Sequence, residues 1–213
     1  MAERCTPLGG AVLALLMERS MHPYEMYQIL IERREDRLMK IRPGSLYHAV
    51  DRLLAQGLIQ AEGTEREGNR PERTTYSILP SGYRALGDSL SVLLREVAEE
   101  YPAFRRGVAE AHNLPKQDVL GLLRERESKL QESLEDLESN SAALVARGLE
   151  RQLWLDVGYD IEMQKAEINW INRTISELEG GDLEWTAHSR FLADNPGLQP
   201  EITDNNINFA KEF

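Results

Sequence analysis

Side chains that can reach a phosphate group, most of them basic, gather at three places in the first ninety residues. The first group precedes a predicted helix, the second lies along that helix, and the third lies at the tip of a predicted hairpin. In chain order the residues are Arg37, Lys40 and Arg42; Tyr47, His48 and Arg52; and Arg66, Arg70 and Arg73. A helix that enters the major groove from its N-terminal end, with cations on either side, is a common way to dock on DNA. The pattern therefore predicts a site for double-stranded DNA.

The simpler interpretation of each arginine is an ordinary solvated surface residue. Acidic residues accompany all three groups, namely Glu35, Asp36, Asp51, Glu65, Glu67 and Glu72. The net charge of the whole chain, -11, does not argue against DNA binding, because it is unevenly distributed. Residues 1–90 are neutral overall, so the entire negative charge belongs to residues 91–213. An acidic C-terminal half is repelled by phosphate, which leaves the N-terminal half to make local basic contacts.

Three short helices followed by a hairpin are predicted to position these groups. Apolar spacing indicates helices over 7–19, 24–34 and 46–56, the last with Ser45 as a good N-cap and Leu46, Val50, Leu53 and Leu54 as its buried stripe. Gly57 ends the third helix, and strands are expected over 58–61 and 74–78. This order is typical of a winged helix-turn-helix, which we expect to occupy residues 1–80.

The same region resembles the PadR-like transcriptional regulators. The resemblance rests on Tyr24-Glu25, on Arg42-Pro43-Gly44-Ser45-Leu46-Tyr47-His48-Ala49-Val50 with Arg52-Leu53, on Gly57-Leu58-Ile59, on 68–76, and on Pro80 and Gly82. It implies a homodimer on a roughly palindromic operator, with Tyr24, Ser45, Tyr47 and His48 near the DNA and the wing arginines in the adjacent groove. Leu79 stands where a threonine often caps the next helix, which leaves Ser81 for that role.

Two long amphipathic helices are predicted in the C-terminal half. Residues 81–115 are expected to hold a connector helix, running to about Glu100, and a linker. Residues 116–180 are expected to form a helical dimerisation and effector domain. Residues 181–213 are expected to form a loosely ordered tail. The predicted dimer interface consists of Leu123, Leu130, Leu137, Leu144, Ile161, Ile168, Ile171 and Ile175, which follow heptad spacing. A single antiparallel helical hairpin is only marginally stable, so a partner surface is expected, and a second copy of the chain is the simplest one. We therefore expect a mainly α, dimeric protein with a coiled-coil seam.

Trp154 and Trp170 are the candidate effector-binding residues, because both fall on the second long helix and a flat ligand stacks well on an indole ring. The alternative is that both are core residues. The family resemblance implies small aromatic acids or flat hydrophobic compounds as effectors. Together these observations predict a transcriptional repressor that a small molecule releases from its operator.

Other classes of protein receive little support from the sequence. It has no phosphate-binding glycine loop, no nucleophile elbow and no metal-ligand spacing among its four histidines and Cys5, so we expect no enzyme, no metal and no cofactor. The apolar run at 8–17 is followed directly by Glu18 and Arg19 rather than by a cleavage site, which favours a buried helix in a cytoplasmic protein without membrane contact. The remaining alternative is a helical scaffold whose winged domain binds protein rather than DNA.

Overall fold

The structure is a computed structural model that describes residues 5–65 and 73–186. It divides into two compact units, Met1–Glu99 and Glu100–Phe213, here called unit 1 and unit 2. Helices dominate both units, and one two-stranded antiparallel sheet lies in unit 1. The mainly α fold with a two-stranded wing is thus confirmed.

Unit 1 contains three helices, the wing and a fourth helix: α1 (Pro7–Glu18), α2 (Pro23–Glu32), α3 (Pro43–Ala55), β1 (Ile59–Glu65), β2 (Arg73–Ile78) and α4 (Pro80–Arg95). Each helix begins with a proline, whose missing N–H group costs nothing in the first turn. The core is formed by aliphatic side chains from all of these helices and from β1, including Leu13, Met26, Leu46 and Leu86. The winged helix-turn-helix therefore closes on a single hydrophobic core.

The third helix begins earlier than the sequence indicates. Its N-cap is Arg42, which makes no capping hydrogen bond through its side chain, so Ser45 lies within the first turn and the assignment of Ser45 as N-cap is wrong. Proline at the first helical position fixes the start three residues before Leu46. Leu46, Val50 and Leu53 are buried as expected, whereas Leu54 is exposed.

A Schellman motif ends α3 and leads into the wing. Gly57 adopts a left-handed φ of 65°, the N–H of Leu58 donates to the carbonyl of Leu53 at 3.0 Å, and the N–H of Gly57 donates to Leu54 at 3.0 Å. Glycine is needed here because other residues rarely adopt this conformation.

The wing is longer than predicted and is closed at its base. Strand β1 continues to Glu65 through an irregularity between Ala61 and Gly63, because a β-bulge shifts the register without ending the pairing. At the base, the N–H of Leu79 donates to the carbonyl of Leu58 at 2.9 Å. Met21, between α1 and α2, exchanges backbone hydrogen bonds of 3.1 and 3.2 Å with Tyr76 of β2. The wing is thereby joined to the helix-turn-helix.

Helix α4 ends at Arg95 rather than near Glu100, with Glu96 already extended. A longer helix would place three negative charges at the negative end of its dipole, those of Glu96, Glu99 and Glu100. Extension of α4 beyond Arg95 is therefore unfavourable. The expected cap by Ser81 is also wrong, because the Ser81 hydroxyl donates to the carbonyl of Gly57 at 2.6 Å. Leu79 is the N-cap and makes no capping bond through its side chain.

Unit 2 is a long helical hairpin with a short helix packed on it: α5 (Ala103–Glu110), α6 (Lys116–Ala146) and α7 (Leu155–Gly180). The sequence did not predict α5, which fell within the expected linker. A second Schellman motif at Gly148, with φ 72°, ends α6. Trp154 lies in a 3₁₀ turn and is the N-cap of α7, so its assignment to the long helix is wrong by one residue.

The heptad residues pack between α6 and α7 of one chain. Leu123, Leu137, Ile161, Ile168, Ile171 and Ile175 are buried there, and Leu130 and Leu144 are partly buried. Ion pairs cross the hairpin at Arg126–Glu167 (2.6 Å) and Lys165–Glu138 (2.7 Å). The residues predicted to form the dimer interface thus also form the core of the hairpin within one chain.

Candidate nucleic-acid interface

The start of α3 presents a row of exposed side chains. Arg42, Ser45, Tyr47 and His48 are all exposed, and so is Arg52 one turn further on. Tyr47 keeps 43% of its surface although its helix is packed on the opposite side. Since no side chain caps the first turn, the backbone N–H groups there are available to an anion. The arrangement provides cations, hydroxyl groups and a positive helix end on one helix.

His22 organises this surface, and the sequence analysis missed it. Its Nδ1 accepts a hydrogen bond of 3.0 Å from the N–H of Tyr24, which makes His22 the N-cap of α2. The His22 ring also meets the ring of Tyr47 edge-on, with 6.4 Å between centroids. One imidazole thus links the start of α2 to the exposed tyrosine of α3. The only signal in the sequence was its position directly before Pro23.

Tyr24 lies beside this link and is 52% exposed. The next residue, Glu25, is paired with Arg19 through Nη2 and Oε1 at 2.5 Å, and this pair lowers the pKa of Glu25. Because Glu25 is neutralised by an arginine, its charge opposes an approaching phosphate less.

The wing strand also approaches α3. Burial raises the pKa of Tyr76, and the nearby Asp51 carboxylate and Tyr47 raise it further. Tyr76 therefore lies within electrostatic range of the exposed face of α3. Among the predicted wing cations, Arg73 belongs to β2, while Arg66 and Arg70 lie outside the described residues.

The cations between α2 and α3 are exposed as well. Arg37 belongs to a 3₁₀ turn at Glu35–Arg37, which follows Arg34 in a left-handed conformation with φ 59°. Lys40 is exposed in the extended segment before α3. The Arg37 Nε donates to the carbonyl of Arg34 at 3.3 Å, so this turn is held locally.

The two candidate effector residues do not share a site in one chain. Trp154 packs with Leu134, Leu137 and Val157, and its Nε1 donates to the carbonyl of Leu149 at 3.4 Å. Trp170 belongs to the other cluster of the hairpin and meets Phe104 edge-on at 6.0 Å. Sixteen residues of separation correspond to roughly 24 Å along a helix, which exceeds the length of a small aromatic acid.

Within 5–65 and 73–186, no helix is both long enough and apolar enough to span a membrane. Over the same ranges, His, Cys, Asp and Glu side chains form no group of three that would hold a metal ion.

Residues 12–88 match the family model described as "Transcriptional regulator PadR-like family". No curated protein matches the chain in sequence. Among solved structures, Bacillus subtilis PadR in complex with operator DNA superposes with a TM-score of 0.68 at 19% identity, over 83% of this chain and 99% of that one. The same protein with p-coumaric acid gives 0.67 at 18% identity, over 81% and 98%. The PadR-like regulator BC1756 from Bacillus cereus gives 0.58 at 15% identity, over 82% and 99%.

The matched segment spans the helix-turn-helix, the wing and the first part of α4, which is the region where the exposed side chains of α3 lie. At identities this low the superpositions show the fold alone, and the family model assigns only the domain at residues 12–88. Residues 12–88 therefore form a PadR-like family domain, a domain of transcriptional regulators.

Proposed function

We propose that this regulator is a dimeric repressor that binds operator DNA through α3 and the wing and is released by a small-molecule effector. The observation that carries the DNA-binding part is the exposed row Arg42, Ser45, Tyr47 and His48 at the uncapped start of α3. Such a helix start fits the major groove, where side chains reach base edges and backbone N–H groups reach phosphate. Operator DNA bound to the similar Bacillus subtilis PadR supports the same interpretation.

Dimerisation is proposed on a face that the sequence analysis did not identify. Leu155, Tyr159 and Met163 lie four residues apart on α7 and are each more than half exposed; we call them the outer stripe of α7. Exposed apolar residues at helical spacing favour a helical partner. A second copy of the chain presents the same stripe, and a dimer would place two winged domains on a palindromic site.

The winged domain is proposed to act locally, despite the acidity of the whole chain. The negative charge resides in residues 91–213, so phosphate contact is confined to the neutral first ninety residues. Binding is then governed by a small number of cations and should weaken steeply with salt.

The test is fluorescence anisotropy of the full chain with labelled DNA from the upstream region of its own gene, at about 50 and 200 mM salt. We expect tight binding at low salt, a loss of roughly 5-fold or more in affinity for Tyr47→Ala, and a salt slope reduced by about one for Arg42→Ala. Tyr83→Ala is the matched control, because Tyr83 of α4 is similarly exposed at 46%. No binding of the wild-type chain at low salt would instead favour a winged domain that binds protein.

A further inference from the structure

Helix α3 carries one carboxylate, Asp51, to which the proposed DNA contacts give no role. Asp51 is exposed and lies four residues after Tyr47 and three after His48, so the three side chains emerge from one side of the helix. The buried residues Leu46 and Val50 lie on the other side. A negative charge on the face that would meet DNA weakens the attraction to phosphate, so the presence of Asp51 there requires an explanation.

The oxygens of the Asp51 carboxylate are available to a donor from outside the chain. Within residues 5–65 and 73–186, no cation lies within ion-pair distance of this carboxylate and no side chain or backbone N–H donates to it. Its charge is nevertheless felt at the base of the wing, because it adds to the effect of burial in raising the pKa of Tyr76, as Tyr47 also does. Asp51 therefore lies on the part of α3 that faces Tyr76 of β2.

The chemistry of a carboxylate restricts what it can contact on DNA. It accepts hydrogen bonds and repels phosphate, so a direct contact has to be made to a donor on a base edge. In the major groove these donors are the exocyclic amino groups N4 of cytosine and N6 of adenine. Adenine also presents the acceptor N7 beside N6, which opposes a carboxylate, so cytosine is the better match. An asparagine in the same place would instead match N6 and N7 of adenine together.

The position of Asp51 along α3 also fits a base contact. In homeodomains, the residues of the recognition helix that contact DNA bases follow the spacing i, i+3, i+4 and i+7. Gly44, Tyr47, His48 and Asp51 have the same spacing, counted from the first turn of α3. Asp51 is the last member of this row, so its side chain would meet a base pair beyond those that face Tyr47 and His48.

We propose that Asp51 is a specificity-determining residue that accepts a hydrogen bond from N4 of a cytosine in the major groove. This inference rests on the proposed DNA-binding function of α3 and adds to it a defined base at one position of each half-site. Because the same charge repels phosphate, Asp51 lowers the affinity for DNA in general while it favours sites that contain the cytosine. It thus increases discrimination between sequences rather than overall affinity.

The experiment selects DNA duplexes from a library with about 20 randomised base pairs, using the full wild-type chain and two variants, Asp51→Asn and Asp36→Asn. Asp36→Asn is the matched control, because Asp36 is exposed in the turn before α3 and its replacement removes the same charge outside the helix. We expect cytosine at one position of each half-site for the wild type and for Asp36→Asn, and adenine at that position for Asp51→Asn. On the wild-type site, anisotropy should show a loss of roughly 5-fold or more in affinity for Asp51→Asn and no loss for Asp36→Asn.

The outcomes separate the base contact from the DNA-binding function. If the wild type and Asp51→Asn select the same bases at every position, or if both variants bind all duplexes more tightly to the same extent, the cytosine contact is overturned and DNA binding stands. A change at a position where the wild type selects a base other than cytosine overturns it as well. If the wild type selects no sequence and binds no duplex at low salt, the proposed function itself fails, and the base contact fails with it. Circular dichroism of each variant verifies that its helices are intact.

Discussion

The Cβ that a side chain at Gly82 would carry falls 2.3 Å from the carbonyl oxygen of Leu58 and 2.8 Å from Cγ1 of Ile78. Gly82 therefore allows the first turn of α4 to lie against the base of the wing. The neighbouring hydrogen bond from Ser81 to Gly57 fixes the same contact. This junction joins the end of α3 to both wing strands and to α4.

Gly82→Ala should destabilise unit 1 by about 3 kcal/mol, because the clashing atom is a backbone oxygen that cannot move aside. Urea unfolding followed by circular dichroism measures the change. Gly87→Ala is the matched control: an added Cβ there meets nothing within 4 Å, and alanine should stabilise α4 by up to about 1 kcal/mol. Equal stability of the two variants would contradict the close approach.

The pair Glu18–Arg33 should make stability depend on pH. The hydrogen bond from Arg33 lowers the pKa of Glu18 below its ordinary value of 4.5, and Arg33 Nη2 lies 2.8 Å from Oε2 of Glu18. The stabilisation is thus fully present above pH 4.5 and is lost as the pH falls through the lowered pKa. Because both side chains are about half exposed, we expect no more than about 0.5 kcal/mol.

A double-mutant cycle with Glu18→Gln and Arg33→Gln isolates this coupling. Unfolding free energies at pH 7 should show it, and measurements stepped downward from pH 4.5 should show it decline. A coupling energy that stays constant across the acid range would show that the pair is held by the neutral hydrogen bond rather than by charge.

Arg126 should stabilise unit 2 more than the other exposed cations of the hairpin. Its guanidinium lies 3.8 Å from the centre of the Phe104 ring and its Nε lies 2.6 Å from Glu167 Oε1, so it holds α5 against both long helices. Arg126→Met should cost roughly 1–2 kcal/mol. All three tryptophans (154, 170 and 185) lie in unit 2, so their fluorescence during unfolding reports on this unit.

Arg124→Met is the control for Arg126, since Arg124 pairs with Glu179 at an exposed position and, within residues 5–65 and 73–186, stacks on no aromatic ring. Its cost should stay below about 0.5 kcal/mol. The Arg126 variant should also change the near-ultraviolet circular dichroism, because Trp170 packs on Phe104. A spectrum identical to that of the wild type would mean that α5 stays in place without Arg126.

The outer stripe of α7 should determine the oligomeric state. Tyr159→Glu together with Met163→Glu should convert the dimer to a monomer in sedimentation velocity at micromolar concentration, with unchanged helicity. Leu153→Glu is the control, because Leu153 is equally exposed but lies in the turn before α7. A dimer that survives the double substitution would place the interface elsewhere. Leu130→Asp is unsuitable for this purpose, since Leu130 packs within the hairpin and an aspartate there should destabilise the hairpin itself.

The sequence predicts the winged domain well because its signals are local. Each helix of unit 1 begins with a proline, Gly57 follows the third helix, and residues alternate in β2. These signals act over a few positions, so they can be interpreted without knowledge of tertiary contacts. The sequence analysis placed the start of α3 at Leu46, because Ser45 is a good N-cap residue. In the structure the helix begins three residues earlier, with Pro43 at its first position.

The helical half was harder to predict because periodicity shows that a face is buried but not what buries it. The heptad residues were predicted to form a dimer interface, and within one chain they pack between the two arms of the hairpin. Helix α5 was missed since Phe104, Val108 and Ala111 span only two turns, too few for periodicity to stand out. His22 was missed because its role depends on a ring that lies 25 residues away.

The hydrogen bonds at the base of the wing have a consequence for how this family can diversify. Leu58 and Leu79 are joined, Tyr76 is paired with Met21, and Gly57 is held by Ser81, so the hairpin is closed before its tip begins. The length and charge of the segment between the strands can then vary with little cost to folding, because lengthening a closed loop adds only a slowly growing entropy. Under the proposed DNA-binding function, the segment between the strands is a place where preference for a DNA sequence can change while α3 keeps its position.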